Sequence, residues 1–447
     1  MIASFKGLQR GEYQKLGFLA ATYFILTGVY SIIRPLKVSV FLHLVGKEYY
    51  PIGQIIILVL MTPCMFLYSL LVDRFKGYQV ICALFALFAF IGTIFAYIFT
   101  VPGCGLGNTD PSPYNILGWL FLIVMDLYPT FIFGTFWAFA NSINDTSFSK
   151  RFYGPITGSA KIAGIIAAGS GYIFLQNGFT ENSTISSLVL VASLALLMAV
   201  GAILLLVNVV PKRYLCSYED RLKRKGERKS TGTGILGGIK LLLKTPYIFG
   251  IFISYFSLEV ITTIFDYQLQ LFTALTYKNA IGGMSSFMML YMILAHVVGF
   301  VFSMFGSTAV LRYLDMRHAL IITPVVVIIL SGVFSYKATL MVILVLMVIL
   351  RASDYGFNAP IRENLYIPTA RDVQFKSKGW IDSFGKFLAK TTGASANMMS
   401  ITINQAVRPL FCSGITAGLA SIWLVVSYFL GKKYSETVKK EEIIGGE

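Results

Sequence analysis

Charge is scarce in this sequence. Only 13% of its 447 residues are Asp, Glu, Lys or Arg, where a soluble domain carries about a quarter. Long polar stretches are scarce too. Apolar runs at 52–72, 79–101, 116–140, 186–209 and 285–305 follow one another, each near the ~20 residues that cross a bilayer as a helix. No large soluble block separates them, which excludes a soluble enzyme with a single anchor. Histidine is nearly absent: His43, His296 and His318 stand far apart, so a histidine-based metal site is not expected. The five cysteines, Cys64, Cys82, Cys104, Cys216 and Cys412, are scattered without disulfide or zinc spacing. A phosphate-binding loop is missing as well. "GCGLG" at 103–107 lacks the closing Lys-Ser/Thr, and "TGTGILGGIK" at 231–240 has no strand before it. No catalytic constellation remains, so the chain is expected not to be an enzyme and to need no cofactor.

What is present is hydrophobic length. Twelve helices are predicted, near 17–44, 52–72, 79–101, 116–141, 155–176, 185–209, 247–275, 282–306, 318–335, 338–358, 379–406 and 408–430. Lys6, Arg10 and Lys15 precede the first. That start is similar to a signal peptide, but the apolar run continues to about Leu44, includes Arg34 and Lys37, and shows no small-residue cleavage site. It reads as a retained first helix, and the short front argues against an organelle transit peptide.

The net charge of +16 invites a nucleic-acid partner, so its placement decides. With both termini on one side, only Lys47, Lys278, Lys337 and Arg408 fall in connections on the other side. Arg34, Lys37, Lys161, Arg351, Lys386 and Lys390 lie within predicted helices, and all the remaining Lys and Arg share the side of the termini. This is the positive-inside pattern. It accounts for the charge with a lipid bilayer as partner and without nucleic acid. It places the chain as a multi-pass protein of a bacterial inner membrane, with both ends cytoplasmic.

The most polar and basic stretch, "EDRLKRKGERKSTGTG", lies near the midpoint. The predicted organisation is an N-terminal six-helix bundle over 1–210, a basic cytoplasmic linker over 211–246, a C-terminal six-helix bundle over 247–430 and a tail over 431–447. This is an all-α polytopic membrane protein with two six-helix pseudo-repeats, the major facilitator plan, in which substrate binds between repeats. Asp73, Arg74 and Gly77 in "LLVDRFKGYQ" resemble the acidic-basic-glycine turn of such proteins after helix 2. Lys37 with Glu259, Asp126 with Asp354 and Gly158 with Gly385 recur at similar separations along the chain, in keeping with an internal repeat. A monomer suffices for this plan.

A charged side chain at the bilayer centre costs about 3 kcal/mol on insertion scales, so such residues line cavities or pair. Arg34 and Lys37 share a helix face. Lys161 stands alone in helix 5, and Glu259 and Asp266 share a face of helix 7. Helix 10 carries Arg351 and Asp354, with Arg362 just beyond, and helix 11 carries Asp382, Lys386 and Lys390 at helical spacing. Cations outnumber acids, and they come from both halves. Such a set suits a polyanion held by guanidinium forks and ammonium point charges. The other reading is internal pairing that holds the bundle together. It stays open for Asp382 with Lys386, whose i, i+4 order is favourable. It is weaker for Arg34 and Lys37, which have no acid on their own helix. Tyr355 beside Asp354 suits stacking on a base, or equally core packing.

One long segment, "DYGFNAPIRENLYIPTARDVQFKSKGWIDSFGKFLAKTTGA" at 354–394, resembles the signature of the ATP:ADP antiporter family, the nucleotide transporters of plastids and obligate intracellular bacteria. Tyr355, Arg362-Glu363, Tyr366-Ile367-Pro368, Lys376, Lys378, Asp382, Lys390 and Gly393 fall on that signature. "FWAFANSINDTSFSKRFYGPITG" at 136–158, which includes Asn141, is similar to the family's Phe-Trp…Asn segment. "YSIIRPLKVSV" places Lys37 on the family's helix 1 lysine, and "SYFSLEVITT" places Glu259 on its helix 7 glutamate. The resemblance implies nucleotide transport by alternating access, with ATP/ADP exchange as the default. The residues expected to bind substrate are Arg34, Lys37, Asn141, Lys161, Glu259, Asp354, Tyr355, Asn358, Arg362, Asp382, Lys386 and Lys390. The sequence departs from the family at Phe148, where the family has Glu, at Arg362, more often Lys, and at Asp354, commonly basic. These departures leave open a proton-driven importer of another nucleotide or of NAD. A major facilitator transporter for a different organic phosphate is also open.

Overall fold

The computed structural model describes residues 9–103, 105–107, 110–144, 146–177, 181–211, 214–215, 242, 244–278, 280–302, 315–354, 358–369, 377–440 and 442–444. The first six helices are α1 (Arg10–Leu44), α2 (Tyr50–Arg74), α3 (Gly77–Thr100), α4 (Ile116–Ile143), α5 (Thr146–Gln176) and α6 (Glu181–Val209). Then come α7 (Pro246–Thr276), α8 (Ile281–Val301), α9 (Met316–Tyr336), α10 (Leu340–Ser353) and the short α11 (Ala359–Leu365). A three-residue α12 (Lys378–Trp380), a π-helical turn (Ile381–Gly385) and α13 (Lys386–Ile401) make one continuous helical segment, and α14 (Arg408–Lys440) follows. Ten of these elements are long and apolar enough to span a membrane. The apolar but shorter α10 and the charge-bearing α12–α13 segment complete the twelve. The segment expected as the tail, 431–447, is helical as far as Lys440, continuing α14.

Local chemistry sets the helix ends. The Asn115 side chain accepts from the Gly118 N–H at 3.1 Å and caps α4, and Thr339 does the same for α10 through the Val342 N–H. Hydroxyls inside the spans turn back on their own helix. Ser31 donates to the Thr27 carbonyl, Thr135 to Phe131 and Ser193 to Val189. A medium without water requires such internal satisfaction.

The chain forms two compact units. The first comprises Met1–Tyr49, Val59–Ser230 and Tyr277–His296; the second comprises Tyr50–Leu58, Thr231–Thr276 and Val297–Glu447. In the first unit α1 packs on α4, α5 and α6, α3 packs on α4 and α6, and α5 meets α6. In the second unit α7 packs on α10, α13 and α14, α9 packs on α10 and α14, and α13 meets α14. The two partner sets coincide when α1, α3, α4, α5 and α6 are matched to α7, α9, α10, α13 and α14. Five helices of each unit thus follow one packing plan, used twice. Close approach is supplied by glycine, as van der Waals packing in lipid demands. A Cβ on Gly92 of α3 would lie 2.3 Å from the Ser193 hydroxyl of α6, and one on Gly393 of α13 would lie 2.7 Å from Cβ of Thr263 on α7.

Candidate substrate site

In the first unit Lys37 of α1 is buried and forms an ion pair with Asp126 of α4. The acid that answers Lys37 is thus supplied by a neighbouring helix. Arg34, one turn earlier, lies beside the Tyr30 ring at 5.9 Å. A niche adjoins it. The His296 Nε2 atom of α8 is 3.0 Å from the Ser31 hydroxyl, and Ser31 already donates to Thr27 at 2.8 Å. The imidazole therefore donates to the serine. Gly164 of α5 makes room, since a Cβ there would sit 2.4 Å from Nε2. Lys161, one turn before Gly164, and Arg34 both lie within electrostatic reach of His296. The structure thus gathers Arg34, Lys161 and His296. Asn141 is exposed and accepts a 2.7 Å hydrogen bond from Tyr153, whose ring packs on Trp137.

The second unit gathers the larger cluster. Glu259 of α7 is 3.7 Å from the Lys386 ammonium, with Lys390, Arg351 and Arg362 within electrostatic reach. Arg351 of α10 stands 4.0 Å from Asp266 of α7. The Arg362 guanidinium lies over the Tyr255 ring at 4.4 Å. Asp354 is within electrostatic reach of Glu259, Arg351 and Arg362, and Asn358 accepts from the Thr323 hydroxyl at 2.7 Å. Tyr355, expected to contact a base, lies outside the described residues.

Residues 381–385 form a π-helical turn. Asp382 and Lys386 lie within electrostatic reach of one another across it, and Lys386 also reaches Glu259 on α7. Further along the signature, Lys378 binds Glu363 at 2.6 Å and lies over the Tyr366 ring at 5.5 Å. Burial, helped by the Asp382 charge, raises the Tyr366 phenol well above its usual value, so the ring stays neutral beneath the ammonium.

Phe148, the residue that departs from the glutamate of the family pattern, is buried under Lys15 with the ammonium 4.3 Å from its ring. Lys15 also donates to the Tyr214 carbonyl at 3.0 Å and to the Ile143 carbonyl at 3.5 Å. The ring thus belongs to a knot joining α1, the end of α4, the start of α5 and the segment after α6. Sequence reasoning missed Asp126 as the partner of Lys37, and it missed His296 and Tyr255. For His296 a signal existed, because an ionisable residue at membrane depth is a functional candidate by default.

The fold is similar to that of solved transporters. A bacterial homologue of the iron transporter ferroportin in an inward-facing state superposes with a TM-score of 0.64 at 14% identity, covering 95% of this chain and 100% of that one. The inward-open xylose transporter XylE from E. coli gives 0.58 at 13%, covering 91% and 94%. Among relatives, ADP,ATP carrier protein 3 of Rickettsia bellii (strain RML369-C) is 25% identical over 343 residues, 68% of each chain. ADP,ATP carrier protein 4 of Rickettsia felis (strain ATCC VR-1525 / URRWXCal2) is 23% identical over an aligned length of 510, covering 97% of this chain and 94% of the relative. Residues 118–434, well over half of the sequence, match the family described as TLC ATP/ADP transporter, and the chain belongs to that family.

Proposed function

We propose that this multi-pass transporter exchanges ATP for ADP across a bacterial inner membrane by alternating access, as a monomer with both termini and the linker over 211–246 in the cytoplasm. The observation that carries the reading is the setting of Glu259. One carboxylate in α7 is met by Lys386 at 3.7 Å, with Lys390, Arg351 and Arg362 within electrostatic reach. That surplus of cations is what an oligophosphate needs, and a guanidinium and an ammonium bind it in complementary ways. The phosphate-binding candidates are Lys37, Arg34 and Lys161 of the first unit, and Lys386, Lys390 and Arg362 of the second. Asn141, Asp354, Tyr355, Asn358 and Asp382 contribute polar and stacking contacts to ribose and base. Glu259 neutralises the cluster when phosphate is absent.

Purified protein in liposomes tests this with radiolabelled ATP, ADP, GTP and NAD, with and without internal nucleotide. Exchange predicts ATP uptake strongly stimulated by internal ADP. Uptake that ignores internal nucleotide and follows a proton gradient would overturn it. That result favours the second reading, import of a nucleotide or NAD, for which the loss of the family's glutamate at Phe148 is the supporting observation.

A further inference from the structure

Each unit carries an ion pair between the same two helices of the repeated plan, with the charges exchanged. In the first unit the cation is on α1 and the acid on α4, Lys37 with Asp126. In the second the acid is on α7 and the cation on α10, Asp266 with Arg351. The correspondence is between the matched helices, and the pairs differ in one decisive respect. Lys37 is 7% exposed and Asp126 31%, so the acid is partly exposed and the lysine is buried. Asp266 and Arg351 are alike at 18% and 20%, and Asp266 is also held by the Gln270 side-chain amide at 2.8 Å. The helices of the first pair each carry a proline within a turn of it, Pro35 in α1 and Pro129 in α4, where a helix bends most readily. No proline lies near the second pair.

We propose that Asp126 is a positioning residue that holds Lys37 when no nucleotide is bound and yields it to a substrate phosphate, so that it sets how strongly the carrier discriminates nucleotides by charge. This rests on the reading of Lys37 as a phosphate ligand. A carboxylate and a phosphate compete for one buried ammonium. The carboxylate can leave because its own desolvation is partial, whereas a fully buried acid released from its partner would be strongly destabilised. The difference in contacts between the paired and released states is what lets substrate occupancy bias a conformational equilibrium. The Asp266–Arg351 pair lacks this asymmetry and acts as a fixed brace.

The test uses the full chain in liposomes, measuring exchange of radiolabelled ATP, ADP and AMP. Asp126→Asn removes the competitor. The apparent KM for ATP is expected to fall by roughly tenfold, that for ADP by less and that for AMP least, because the released charge counts most against the most charged ligand. Maximal exchange falls at the same time, and Asp126→Glu restores wild-type behaviour. A flat or unchanged KM series, or the same graded gain from Asp266→Asn, overturns the proposal. If Asp126→Asn does not fold, Lys37→Gln with Asp126→Asn is compared with Lys37→Gln alone. Without the ammonium there is nothing to compete for, so coinciding KM series support a role exerted through Lys37, and a graded gain in the double variant shows direct repulsion of phosphate by Asp126 and overturns the proposal. Lys37→Gln also separates the two levels. Equal weakening of all three nucleotides removes the phosphate-ligand reading itself, whereas a graded loss beside a flat Asp126→Asn series removes only the role of Asp126.

Discussion

A carboxylate at membrane depth needs a charged answer, and Glu259 has one in Lys386 at 3.7 Å with further cations around it. Its use is clearest when phosphate is absent, since like charges crowded in a poor dielectric repel strongly. In the proposed function, phosphate takes over the cations and the freed carboxylate marks the occupied state. Glu259→Gln preserves shape and removes charge. Nucleotide binding is expected to persist or tighten while maximal exchange falls roughly tenfold or more, about 1.4 kcal/mol on the rate-limiting barrier. Binding to the purified variant and exchange in liposomes check both halves. Unchanged affinity with near-normal exchange rules the switching role out, and loss of folding assigns Glu259 to holding α7 in place. Much of this residue-level picture was legible. Arg34, Lys37, Glu259, Lys386 and Lys390 stand out as charges inside apolar runs. Their partners were not legible. Lys37 meets Asp126 across helices, and no spacing rule within one helix reports such a pair.

At the scale of elements, sequence periodicity located the spans because lipid length and backbone satisfaction leave few alternatives. Apolar periodicity does not register the π-helical turn at Ile381–Gly385, which widens one turn without changing the hydropathy of the run. Nor does it report the reach of Lys386 to Glu259 on another helix. Gly393 holds the same segment against α7: a Cβ there would lie 2.7 Å from Cβ of Thr263 and 3.1 Å from the Val260 carbonyl. Asn397, one turn on, donates to the Thr263 carbonyl at 3.1 Å. Because neither backbone can give way cheaply, Gly393→Val should act as overpacking and cost about 1–3 kcal/mol. The expected readouts are a lower unfolding temperature in detergent and a raised apparent KM for ATP, since Lys390 lies one turn before the displaced residue. A variant as stable as the parent would show that α13 and α7 can separate without loss.

At the scale of the whole molecule, the proposed orientation treats the net charge of +16 as an address. Lys and Arg crowd the connections on the side of the termini, above all the linker over 211–246. The cost of moving such segments across a membrane sets orientation. Two native cysteines stand at opposite ends of this argument. Cys104 is in the connection between α3 and α4, which holds no Lys or Arg, and Cys216 is in the basic linker. Both lie outside the described residues, so their sidedness follows from charge alone. With the other four cysteines replaced in turn, Cys104 should react with a membrane-impermeant maleimide in intact spheroplasts, and Cys216 should react only in inverted vesicles or after permeabilisation. The replaced cysteines include Cys64 and Cys82, each half-buried, and Cys412, which is buried. Their removal should leave exchange intact, which supplies the control for folding. The reverse labelling pattern would place the basic linker outside. It would invert the proposed orientation while leaving the twelve-helix plan untouched, because the helix packing does not depend on which face meets the cytoplasm.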